Sequence, residues 1–81
     1  MRAIREFDSI RLTAPLEGAD VFDASRVFPL PVSARGTVVD MLGNRGAYEV
    51  EFLVRPDPMK PEYFFSVQIP VEQGQCELVE D

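Results

Sequence analysis

Apolar and polar residues alternate with a period of two along most of this chain, which is the signature of strands with one buried face. Ile10 and Leu12 share one face of residues 9–13, and Ser9, Arg11 and Thr13 share the other. Pro15 and Gly18 then interrupt the pattern. Gly36 opens a second strand, Thr37-Val38-Val39-Asp40-Met41-Leu42, rich in β-branched residues. Gly43-Asn44-Arg45-Gly46 predicts a turn, because Asn and Gly tolerate the positive φ that hairpins need. Residues 47–54 alternate most cleanly: Tyr48, Val50, Phe52 and Val54 oppose Ala47, Glu49, Glu51 and Leu53. A fourth strand is expected over Tyr63–Ile69, ended by Pro70, and a fifth over Cys76–Val79. The alternation predicts a core containing Val38, Val50, Phe52, Val67 and Leu78.

Two segments fall outside the pattern. Residues 14–33 are apolar for a connection, yet Pro29 and Pro31 oppose a helix or a central strand. They read as a long loop, with a single helical turn capped by Asp20. Either its phenylalanines plug one end of the core or they lie exposed as a partner-binding loop. Pro56, Pro58 and Pro61 stiffen residues 55–62 into an irregular connection. Almost no room is left for helix. The expected fold is therefore all-β: one domain over residues 1–81, with five strands closing into a small barrel and a long loop between the first two. A flat sheet of this size would expose an apolar face and two edges.

Composition narrows the chemistry. The chain has 81 residues, no histidine, no tryptophan and one cysteine, Cys76. That removes an imidazole base, a His–Ser or His–Cys pair, a thiolate zinc cluster and an internal disulfide. The expectation is a protein that is not an enzyme and uses no metal or cofactor. Cys76 alternates with Glu77 and reads as inert packing. Eight basic and fourteen acidic residues leave a formal charge of −6. The basic residues are scattered singly, so nucleic-acid binding is not expected. No apolar run approaches the roughly 20 residues of a membrane span, and no apolar stretch follows Arg2 and Arg5 as in a signal peptide. With the lone thiol, this points to a cytoplasmic protein with no membrane partner.

The hairpin residues Gly36-Thr37-Val38-Val39 and Ala47-Tyr48-Glu49-Val50-Glu51-Phe52 resemble domain-of-unknown-function family 4926, a family of short bacterial proteins. Ile10-Arg11-Leu12-Thr13 resembles its opening strand. Members carry a Gly–acid pair before the strand glycine, where this chain has Ala34-Arg35. The resemblance implies an SH3-like barrel and a compact, non-catalytic module. It also implies an antitoxin or immunity role, since some such proteins are encoded beside toxin-like neighbours.

The residues themselves offer few sites. Glu49 and Glu51 share a strand face, with Cα atoms roughly 6.7 Å apart. They read as a solvated face, paired to Arg35 or Arg45, in preference to a proton-sharing or cation-binding dyad. Tyr63, Phe64 and Phe65 cannot all point inward: either Phe64, or both Tyr63 and Phe65, must face out. An outward aromatic needs a covering loop or a partner. Glu17, Asp20 and Asp23 space acids along the long loop as a rim for a basic partner. The expected partner-binding surface joins Glu17, Asp20, Phe22, Asp23 and Phe28 to Tyr63 and Phe64. The expected function is a small protein-interaction module that masks another protein, basic or toxin-like. The alternative is a structural accessory that assembles with an enzyme subunit, or with itself as a homo-oligomer.

Overall fold

The computed structural model describes residues 2–43 and 46–80. Asn44 and Arg45, the middle of the expected hairpin turn, lie outside the described residues, as does any pairing of Arg45 with Glu49 or Glu51. The described residues form seven strands: β1 Ser9–Leu12, β2 Leu16–Asp20, β3 Asp23–Leu30, β4 Arg35–Met41, β5 Ala47–Val54, β6 Phe65–Glu72 and β7 Cys76–Leu78. A short 3-10 turn, Gln73–Gln75, separates the last two. All pairings are antiparallel within a single sheet, ordered β3-β2-β6-β5-β4-β1-β7. The sheet is open: β3 and β7 are its edges.

Alternation decides which face is buried. In β5, Tyr48, Val50 and Phe52 are buried, while Glu49 and Glu51 are half-buried and Leu53 is exposed. The same inward set continues through Ile10 and Leu12 of β1, Val38 of β4, Val67 and Val71 of β6, and Cys76 of β7. Leu30 joins it from β3. One core therefore draws on strands from both edges of the sheet, so the sheet curls over its own apolar face. Of the expected core, Leu78 is only half-buried, because it stands near the end of the short edge strand β7.

Four expectations are corrected. There are seven strands, not five, because residues 16–30 form a hairpin where a long loop was expected. Asp20 caps no helical turn: Val21 and Phe22 link β2 directly to β3. Pro29 is tolerated because it excludes a central strand but not an edge strand, and β3 is an edge. Pro70, expected to end its strand, sits inside β6 opposite Glu49 of β5. On its other side β6 meets β2 only at Asp20–Val67, so Pro70 has no ladder there to break. Strand β6 starts at Phe65, two residues later than expected, and runs on to Glu72.

Two glycines set strand approach. A Cβ on Gly18 would lie 2.5 Å from Val67 Cγ1 and 2.6 Å from Ile69 Cγ2. Any side chain there would hold β2 off β6. A Cβ on Gly36 would lie 2.9 Å from the Glu51 carbonyl oxygen and 2.6 Å from Val50 Cγ1.

The N-terminal arm is tied to the sheet by backbone and charge. Phe7 N–H donates to the Val38 carbonyl at 2.7 Å, and Val38 N–H donates to the Asp8 carbonyl at 2.9 Å. Arg2 grips the Asp8 carboxylate with two hydrogen bonds, at 2.6 and 3.0 Å, and lies 3.7 Å from Glu80. Arg11 of β1 bonds Glu77, its register partner on β7. No helix among the described residues is long and apolar enough to cross a membrane.

Candidate partner-binding surface

The hairpin β2–β3 is attached to the rest of the sheet through the start of β6. Asp20 pairs with Val67, and Val21 N–H donates to the Ser66 carbonyl at 3.0 Å. The hairpin tip thus lies against the segment carrying Tyr63, Phe64 and Phe65. Residues on both sides then meet. The Phe28 and Phe65 rings stack tilted with centroids 5.1 Å apart, and Tyr63 meets Phe65 edge-on at 5.2 Å. The Arg26 guanidinium lies 4.7 Å above the Phe65 ring, and that of Arg55 lies 5.8 Å from Phe64.

The tip is built by a pairing irregularity. Asp20 faces Asp23, but Ala19 faces Val27, so Ala24, Ser25 and Arg26 are extra residues on β3. The bulge turns Arg26 back toward Phe65. The Asp20 carboxylate sits 3.9 Å from Arg26 and accepts the Phe22 N–H at 3.1 Å. Asp23 accepts from the Ser25 hydroxyl at 2.6 Å and the Ser25 N–H at 3.1 Å, which hold its carboxyl below the usual range.

The seven residues expected from sequence divide between different environments. Phe22 is 91% exposed at the tip, and Tyr63 and Phe64 are about half exposed, at 52% and 48%. Asp23 is exposed beside Phe22. Asp20 is instead buried, at 6% exposure, so it organises the turn and is not a solvent-facing rim acid. Phe28 is half-buried against the core, because it stacks on Phe65. Glu17 is exposed at the other end of the hairpin. There it lines a hollow of about 480 Å³ with Leu16, Leu42, Ile69, Pro70 and Glu72. Arg26 and Arg55 also reach this surface, through the rings of Phe65 and Phe64, and no local pattern marks them. Met59 is 86% exposed on the connection before β6, and only its apolar character within a proline-rich stretch could have marked it.

Other candidates are less developed. Glu51 accepts the Ser66 hydroxyl at 3.1 Å, across the β5–β6 pairing, and neither Glu49 nor Glu51 forms an ion pair within the described residues. No group of three or more His, Cys, Asp or Glu side chains is placed to hold a metal ion among the described residues. Cys76 is buried, its Sγ is 3.7 Å from the Glu72 carbonyl oxygen, and burial pushes the thiol pKa up, away from the reactive thiolate. No family model, curated protein or solved structure matches the chain.

Proposed function

We propose that this protein is a small non-catalytic interaction module that binds and masks another protein through the hairpin tip and the aromatic segment before β6. The observation that carries this reading is the exposure of Phe22 at the hairpin tip and of Tyr63 and Phe64 on the segment that the tip lies against. Large apolar side chains gathered at one solvent-facing place suit the centre of a protein contact, where aromatic residues and Met are enriched. Arg26 and Arg55 hold aromatic rings beneath and beside it, so part of the surface is ordered before a partner arrives. Such ordering lowers the entropic cost of association. Asp23 at the tip, and Glu17 with Glu72 in the hollow at the hairpin base, supply acids for a basic partner.

An SH3-like barrel is the architecture we infer. Without the hairpin β2–β3, the remaining strands run in the order β6-β5-β4-β1-β7, five antiparallel strands around one core, with a 3-10 turn before the last. The resemblance of residues 36–52 to domain-of-unknown-function family 4926 points the same way, and with it an antitoxin or immunity role in a bacterial cell. The alternative, self-assembly or attachment to an enzyme subunit, draws on the open edge of β3.

The test is a titration against the purified product of the neighbouring gene, with sedimentation of this protein alone beside it. Phe22→Ala and Phe64→Ala should each weaken binding by about 2 kcal/mol or more if they are central. Asp23→Asn should chiefly slow association. If these folded variants all bind as the parent does, the surface is misassigned. A concentration-dependent dimer broken by Phe22→Ala would favour self-assembly.

A further inference from the structure

Two hollows share Arg35 and Leu53, one over the outward side chains of β4 and β5 and one at the edge of the core beside Leu30 and Phe52. The first, about 220 Å³, is polar, lined by Ser9, Arg35, Gly36, Thr37, Glu51 and Arg55. The second, about 210 Å³, is apolar, lined by Pro29, Leu30, Pro31, Ala34, Phe52 and Val54.

The polar hollow is cationic in a protein whose formal charge is −6. Arg2, Arg11 and Arg26 are ion-paired, whereas Arg35 and Arg55 contact no carboxylate within 4 Å among the described residues. Arg55 is nevertheless positioned. Its Nε donates to the Pro61 carbonyl at 3.0 Å, and its guanidinium rests near Phe64. Glu51 contributes one negative charge, and one of its oxygens is engaged by Ser66 on the β6 side. Two guanidinium groups and one carboxylate leave a net charge of +1. A monoanion neutralises that charge, whereas a phosphate dianion would overshoot it. Planar guanidinium groups also match a carboxylate in shape.

The neighbouring hollow says what the carboxylate is attached to. Its volume is roughly seven times the share of one water in the liquid. A hollow of that size, partly open to solvent, has room for one large apolar side chain. Ser9 and Thr37 place hydroxyls nearby, which suit an amide group next to the carboxylate.

We propose that the two hollows form one binding site for the free C-terminal residue of a peptide chain ending in an apolar side chain. The carboxylate lies between Arg35 and Arg55, and the side chain packs on Pro29, Pro31 and Leu53. The site meets the proposed partner contact at Arg55, which rests near Phe64, but Phe22 is not among its lining residues, so Phe22→Ala tells the two apart.

The experiment is an NMR amide titration of the intact protein with acetyl-Gly-Leu, its C-terminal amide, inorganic phosphate and decanoate. Acetyl-Gly-Leu should shift Ser9, Gly36, Thr37, Leu53 and Val54 in a saturable manner. The amide-capped peptide should bind about tenfold or more weakly, because it loses the charge-assisted hydrogen bonds. Arg35→Gln and Arg55→Gln should each weaken the acid, with melting temperatures showing that these surface variants remain folded. Arg35→Lys should recover only part of the loss, since it keeps the charge without the fork. Phe22→Ala should bind the peptide unchanged. Equal affinity for acid and amide, tighter binding of phosphate or decanoate, or no saturable shift at these residues would each overturn the assignment.

Discussion

Replacing Gly18 by alanine is the sharpest test of how the hairpin is mounted. The added Cβ would lie 2.5 Å from Val67 Cγ1 and 2.6 Å from Ile69 Cγ2, well inside van der Waals contact. Neither neighbour can swing aside cheaply. Both are β-branched and stiff at χ1, and Val67 is fully buried. Overpacking of this kind costs about 1–3 kcal/mol. Alanine restricts the unfolded chain more than glycine does, which returns about 0.4–1 kcal/mol. The net expectation is a loss of about 1–2 kcal/mol. In a domain of this size that lowers the melting temperature by roughly 4–16 °C. Gly36→Ala should cost more, because a backbone oxygen 2.9 Å away cannot rotate out of the way. Gly74→Ala meets nothing within 4 Å and should be neutral or slightly stabilising. Urea unfolding of the three variants gives the magnitudes. Amide exchange at Val21, whose N–H donates to Ser66, reports whether the hairpin has loosened from β6. If Gly18→Ala were as stable as Gly74→Ala, with Val21 exchange unchanged, the close approach of β2 to β6 would be wrong. The aromatic surface would lose its support with it.

Two further outcomes follow from the core and the N-terminal arm. Phe52→Ala should cost about 3–5 kcal/mol, since Phe52 is 2% exposed at the centre of the core, and a melt within a few degrees of the parent would count against that placement. The Asp8 carboxyl, bonded by Arg2 and by the Arg5 N–H, is held down to about 2, whereas an unfolded aspartate titrates near about 3.9. A carboxyl depressed on folding stabilises above its unfolded pKa and loses that contribution as pH falls toward the folded one. Asp8→Asn should therefore flatten the stability profile between about pH 4 and pH 2, and unfolding curves that keep the parent's slope there would show that Asp8 is not the group responsible.

How the chain divides between local pattern and tertiary decision is clearest in its strands. Residues 36–54 are legible because each strand has one neighbour close in sequence and one face in the core. Alternation then reports burial directly, as Val38, Val50 and Phe52 show. The absence of α-helix among the described residues and the burial of Cys76 are equally local. The Tyr63-Phe64-Phe65 run forces some aromatic outward whatever the fold. Residues 16–30 are different. Gly18 and Pro29 look like strand breakers, and only their positions make them acceptable: Gly18 where β2 crosses tightly over Val67 and Ile69, Pro29 on an edge with no further strand to bond. Asp20 reads as a surface acid, but the pairing with Val67 buries it, and Arg26 and the Phe22 N–H make the burial tolerable. Arg35 and Arg55 are twenty residues apart and look like isolated charges until β4 and the end of β5 bring them to one hollow. Sequence thus determined which residues seek the core, because hydrophobic burial depends on each side chain and its period. Which polar and aromatic residues share a surface was decided by strand order and register, which are set by contacts between residues far apart in the chain.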